Sequence, residues 1–130
     1  MKKETADKYF SLYIRLRDAD ENGTCECCTC GKLDHYKNMD AGHFINRRFN
    51  SVRFNEQNVH AQCPHCNRYC EGNIPEYSLF IERKYGKGTV EKLIAQKNTY
   101  TKMGKVRIDE IGKEYRVKMK ELAKEKGIEL

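Results

Sequence analysis

The sequence predicts a small α+β protein in which a zinc-clasped core of short strands is flanked by α-helices. Three observations carry that expectation. Cysteines recur at C-x2-C spacing on both sides of the central segment, before Gly31 and at Cys63 and Cys66. Between them, Asp40 to His43 and Asn58 to Gln62 read as two short strands. Outside them, apolar residues return every three or four positions, the period of an amphipathic helix.

Residues 5 to 20 read as the first helix. Thr5 can cap its start, and Tyr9, Phe10, Leu12, Tyr13, Ile14 and Leu16 give it a broad apolar face. Gly23, after Asp20-Glu21-Asn22, is the expected stop. This helix is expected to pack and to take no part in chemistry. The first knuckle follows, and its spacing permits two pairings, Cys25 with Cys28 or Cys27 with Cys30. Gly31 directly after Cys30 favours Cys27 and Cys30, because glycine relieves crowding where amides turn towards a sulfur. Cys25 and Cys28 are then spare thiols or substitute ligands. With Cys63 and Cys66 the set makes a closed four-cysteine zinc site, which is structural because no position is left open.

Met39-Asp40-Ala41-Gly42-His43 reads as a strand turning into a loop, with Gly42 allowing close backbone approach. Asp40 shares a strand face with Gly42. On the second strand the same alternation pairs Asn58 with His60, so either can orient a base or a metal. His35 and His65 read as ordinary turn residues, Cys70 as a small buried hydrophobe, and Asn67 as the start of a helix. Arg47, Arg48, Arg53 and Arg68 surround this region. Guanidinium groups grip phosphate in a bidentate manner, so these four are the candidate DNA contacts.

Pro75 at a helix start predicts a helix to about Tyr85, broken by Gly86-Lys87-Gly88. Thr89 opens a short helix through Val90, Leu93 and Ile94. A last helix after Gly104 carries Ile108, Ile111, Tyr115, Met119 and Leu122 at helical spacing, with many lysines elsewhere. Its acidic residues dilute that charge, so a packing or dimer face is expected before a DNA-binding one. The boundaries that follow are 1–24 for the N-terminal helix, 25–86 for the clasped core and 87–130 for a basic helical extension.

A chain of 130 residues with seven cysteines and no tryptophan has a thin core, which a metal clasp reinforces. An odd cysteine count clustered in ligand pairs argues for metal binding in a reducing cytoplasm over disulfides. No apolar run is long enough to span a membrane, and the polar start is unlike a signal peptide. A formal charge of +6 suits a polyanionic partner.

The order of these parts resembles the HNH, or His-Me finger, endonucleases, which have a ββα-metal fold. Asp40-Ala41-Gly42-His43-Phe44-Ile45-Asn46-Arg47-Arg48 and Asn58-Val59-His60-Ala61-Gln62-Cys63-Pro64-His65-Cys66-Asn67-Arg68, with the lead-in Tyr13 to Asp20, narrow the likeness. They are similar to the lambdoid phage NinG (Rap) recombination endonucleases, to which the phage RecA-dependent nuclease Ref is related. The resemblance covers roughly residues 9 to 85. It implies cleavage of branched DNA, such as Holliday junctions and D-loops, during phage recombination in the host cytoplasm. It also implies His43 as general base, and a catalytic Mg2+ or Mn2+ held by Asp40 and Asn67. Gly42 stands where the family usually places an acidic or histidine ligand, and Asp40 is the expected replacement. A homodimer and a recombinase partner are compatible with the same reading. The competing expectation is a zinc-stabilised DNA- or protein-binding module without catalysis, which the knuckles alone fit equally well.

Overall fold

The computed structural model describes residues 1–130. Helix α1 spans Lys3–Asp18 and begins on the Lys2 carbonyl, with no side-chain cap. Thr5 therefore lies inside the first turn. The helix stops at Asp18, short of Gly23, because Ala19 bridges to Cys25 and Asp20 takes the next amides. Gly23 has φ +80° in that turn, and a Cβ there would stand 2.8 Å from the His35 ring. It shapes the turn into the knuckle, not the end of the helix.

Strands β1 (Thr24–Glu26) and β2 (Leu33–His35) form an antiparallel hairpin that carries the first knuckle at its tip. A single 3-10 turn, Tyr36–Asn38, leads to β3 (Asp40–His43), which pairs antiparallel with β4 (Val59–Gln62). Asp40 faces Gln62 and His43 faces Val59 in that register. The connection between β3 and β4 holds one helical turn, α2 (Asn50–Arg53). After β4 comes a π-helical turn, His65–Tyr69, then Glu71, Gly72 and Asn73, all with positive φ. Helices α3 (Ile74–Tyr85), α4 (Thr89–Lys97) and α5 (Lys105–Lys126) complete the chain.

Two strands alone are too few to persist in water. Here β4 is fully buried, and its outer edge is satisfied by other elements. The Ala61 amide donates to Asp18, the Ala61 carbonyl accepts from the Cys28 amide, and Arg17 donates to the Val59 carbonyl. The edge is closed by side chains and a knuckle instead of a third strand.

Helix α5 runs parallel to α1, with Met1 at Asp109, Ala6 near Gly112 and Lys126 at the far end of α1. Phe10 and Tyr115 meet edge to face, 4.8 Å between centroids. The apolar stripe Ile108, Ile111, Tyr115 and Met119 is buried within the same chain, so α5 is a packing helix. One core cluster contains Leu16, Cys27, Cys63, Cys66 and Met119, and so draws on all three segments expected from the sequence. Lys126 Nζ donates to the carbonyls of Leu16, Arg17 and Ala19 at the end of α1, where intrahelical partners run out; Leu16 also accepts the Ala19 amide. A cation at a helix C-terminus also opposes the negative end of its dipole.

Lys126→Met keeps most of the aliphatic stem and removes this cap. It is expected to lower stability by about 1–3 kcal/mol, the range for stranding buried carbonyls. Urea unfolding midpoints, with the exposed Lys124→Met as control, measure the difference; equal midpoints would refute the capping role.

Candidate functional site

The sulfurs of Cys27, Cys30, Cys63 and Cys66 lie within 4.8 Å of one another. Cys30 Sγ and Cys63 Sγ are 3.7 Å apart. Four sulfurs about 2.3 Å from one zinc in a tetrahedron would be spaced by ~3.8 Å, so this cluster can hold a zinc ion. Of the two pairings the spacing allowed, the structure selects Cys27 with Cys30. Gly31 has φ +80°, and its amide bonds back to the Cys27 carbonyl, which is the tight turn the second ligand requires. Cys25 instead lies in the core and donates to the Arg15 carbonyl at 3.2 Å. Burial pushes its thiol up to about 11 and also raises that of Cys28, and neither sulfur is part of the cluster. Cys70 is exposed, contrary to the buried position expected, because the π-helical turn ends before it.

An open cavity of about 550 Å³ lies between α1, β3 and the turn after β4. Asp40, His43, Arg47, Asn67 and Arg68 all line it, together with Asp7 from α1. His43 sits at the end of β3, and its Nε2 is 2.9 Å from the Arg53 carbonyl. A carbonyl only accepts, so Nε2 carries the proton and Nδ1 is left as the acceptor. Burial holds the His43 pKa below its ordinary 6.5, and the nearby Arg47 and Arg53 charges act in the same direction. The Arg53 carbonyl and Asp7 oppose that shift without cancelling it.

Asp40 is held on three sides. Arg68 forks it at 3.0 and 2.8 Å, and Asn67 Nδ2 donates to it at 2.9 Å. Asn67 lies within the π-helical turn, not at an α-helix start. Asn67 thus turns its amide nitrogen to Asp40, and the pair could offer two oxygens to a hard cation such as Mg2+ or Mn2+ only with that amide turned over. Arg68 is 65% exposed, so its fork can open towards solvent.

Three of the side chains expected at this site point elsewhere. Arg53 is turned inward, 12% exposed, and forks Asp7 through Nε at 2.9 Å and through Nη2. Its guanidinium is a strut between α1 and α2, and only its carbonyl serves the site. Asn58 is fully buried and braces the loop after His43, bonding the Ile45 amide and the Ile45 and Val52 carbonyls. His60 is buried on the far side of β4, with Nδ1 at 3.1 Å from Tyr77 Oη and Nε2 at 2.7 Å from Tyr85 Oη. His60 thus faces α3, while Asn58, just before β4, faces the loop that it braces. Arg47 and Arg48 are exposed, as phosphate contacts require.

Three contributors had little sequence signal. Asp7 is one acidic residue on a helix read as packing. Tyr77 Oη donates to the Gly42 carbonyl at 2.6 Å, fixing the strand beside His43. Gln62 spans the Thr29 hydroxyl and the Gly72 carbonyl, and a Cβ on Gly42 would lie 2.1 Å from its Oε1. Gly42 is thus required for the space above it, which its paired Gln62 fills.

The family model described as Bacteriophage Lambda NinG protein matches residues 2–125. This chain belongs to the NinG family. Protein ninG of Escherichia phage lambda is 31% identical over 121 residues, covering 90% of this chain and 55% of that protein. Protein ninG of Salmonella phage P22 is 32% identical over 89 residues, covering 68% and 41%. Protein ninG of Escherichia phage 933W is 30% identical over 96 residues, covering 73% and 45%. The chain spans about half the length of the curated relatives it matches. No solved structure matches it. No helix of this NinG-family chain is long and apolar enough to cross a membrane.

Replacing any one of Cys27, Cys30, Cys63 or Cys66 by serine is expected to abolish tight zinc binding and unfold the core, since zinc affinity here is folding energy. Cys25→Ser and Cys28→Ser are expected to retain one zinc per chain. Elemental analysis with circular dichroism separates the two sets; a folded, zinc-free parent would end the clasp.

His60 makes a separate prediction. Burial lowers its pKa from 6.5 to about 3, so the unfolded chain binds its proton first as pH falls. Its contribution is present above pH 6.5 and is lost progressively from there towards pH 3. His60→Gln removes that titration, so its stability should fall less steeply between pH 6.5 and pH 4.5, by up to about 1.4 kcal/mol per pH unit. Parallel slopes for parent and variant in denaturant titrations would contradict this.

Proposed function

We propose that this NinG-family chain is a metal-dependent endonuclease of the HNH class, built on a ββα-metal core. Its substrates are DNA phosphodiesters in branched recombination intermediates, within the cytoplasm of a phage host. The observation that carries the reading is the state of His43. A half-buried imidazole, locked by the Arg53 carbonyl with Nδ1 as acceptor, lies in an open cavity with Arg47, Asn67 and Arg68. A binding module has no need for a neutral base of fixed tautomer in an open cavity lined by both carboxylates and guanidinium groups.

In this reading His43 Nδ1 takes a proton from water as its oxygen attacks phosphorus, and the bond to the 3′ oxygen breaks. Arg47 grips non-bridging phosphate oxygens and positions the backbone without reading sequence. Arg68 either joins it or remains on Asp40. A divalent ion held by Asp40 and Asn67 would supply stabilisation of charge on the phosphate and the leaving oxygen. Asn58 keeps the loop that carries Arg47 in register with His43.

One observation favours the second reading, a zinc-stabilised binding module without catalysis. Both oxygens of Asp40 accept from Arg68, so the carboxylate already has a cation. Incubating the protein with linear, flap and four-way DNA in Mg2+ or Mn2+ decides between them, and absence of any cutting selects the module.

His43→Ala is expected to keep zinc, fold and most DNA affinity while cleavage falls by a factor on the order of 100 or more. Because the His43 pKa is depressed, the parent rate should rise with pH and level off below the ordinary histidine range near 6.5. A His43→Ala enzyme that cuts like the parent removes His43 as the base.

A further inference from the structure

A second open cavity, about 360 Å³ in volume, lies beside α2 where the chain leaves α4 for α5. Two cations meet there on one aromatic ring. The Arg48 guanidinium carbon and Lys97 Nζ each stand 4.8 Å from the Phe49 ring centroid. No acidic residue lines the cavity, and neither cation takes part in an ion pair. Each cation is held against the ring by its π electrons, and neither charge is neutralised at the cavity.

The arrangement is built into the backbone. Gln96 donates to the Ser51 carbonyl at 2.7 Å, Asn55 donates to Gln96 at 2.7 Å, and Ser51 donates to the Lys97 carbonyl at 3.4 Å. These bonds fix the end of α4 onto α2, so Lys97 reaches Phe49 from an anchored position. A lysine in the last turn of a helix is ordinary in itself. A second cation on the same ring is not explained by that dipole. Asn98 and Thr101 add polar groups to the lining, and Tyr100, 87% exposed, stands at the rim.

The two cavities are adjacent along the chain, since Arg47 lines the one that holds His43 and Arg48 lines this one. We infer that Arg48 and Lys97 form a second phosphate-binding site, which holds the DNA backbone flanking the position presented to His43. The inference rests on the nuclease reading and adds Lys97 to the DNA-binding surface. A nuclease for branched DNA must hold more than the scissile phosphate, and a site one residue beyond Arg47 grips the strand or arm that continues outward.

The test is the salt dependence of binding to four-way DNA, measured for the parent, Lys97→Gln, Lys97→Arg and Arg48→Gln. Each glutamine variant is expected to lower the slope of log affinity against log salt by about 0.9, the loss of one phosphate contact. Lys97→Arg is expected to keep the parent slope. Unfolding midpoints check that both surface variants remain folded. If the parent binds and cuts DNA while Lys97→Gln keeps the parent slope, the second site is wrong and the nuclease reading stands. A parent that binds no DNA in any form ends both.

Discussion

The structure depends on four cysteine sulfurs brought to one point. The strand pairs that carry them are three and four residues long, far below what hydrogen bonding alone holds together in water. Joining the tip of the first hairpin to the end of β4 closes the segment that contains Asp40 and His43 into a loop with fixed ends. The surrounding core is built to the same point, since Cys27, Cys63 and Cys66 pack with Leu16, Met39 and Met119. A zinc ion in that cluster would substitute coordination energy for the apolar burial that so small a core lacks.

The candidate site is assembled from elements that are far apart in sequence, each supplying one constraint. β3 carries Asp40 and His43, and the turn after β4 carries Asn67 and Arg68. α2 offers the Arg53 carbonyl to the His43 ring, and α1 holds Arg53 in place through Asp7. From α3, Tyr77 fixes the backbone at Gly42. The imidazole is therefore oriented by a chain of contacts that ends on α1 and α3, which is how a histidine ring is kept in one tautomer.

Charge is distributed with the same economy. Arg17 and Arg53 are turned inward, where they tie strands and helices through backbone and carboxylate contacts. Arg47, Arg48 and Arg68 remain at the surface on the side of the cavity. The long last helix, despite its many lysines, spends its apolar stripe on α1 and one lysine on capping it. Net positive charge thus says little about where an anion binds; which guanidinium groups stay at the surface says more.

Much of this was legible in the chain itself. Helical periodicity located α1, α3, α4 and α5 to within a few residues, because one apolar face against a core leaves a 3.6-residue imprint. Knuckle spacing and Gly31 pointed to the cysteines that converge, since ligand geometry is local. Asp40, His43, Asn67, Arg47 and Arg68 were singled out by type and order, and all line one cavity. Only the tertiary structure decided the rest. Alternation paired Asn58 with His60 but could not say that His60 would meet α3 and Asn58 the loop after His43, so both appeared as site residues and proved to be supports. Arg53 looked like its exposed neighbours until Asp7 arrived from a helix 46 positions away. Gly42 reads as a site of close approach, and only the structure shows that what approaches is the Gln62 side chain lying across it. Local pattern records what a residue does within its own element. What it faces is set by long-range packing, and one sequence carries no mark of that.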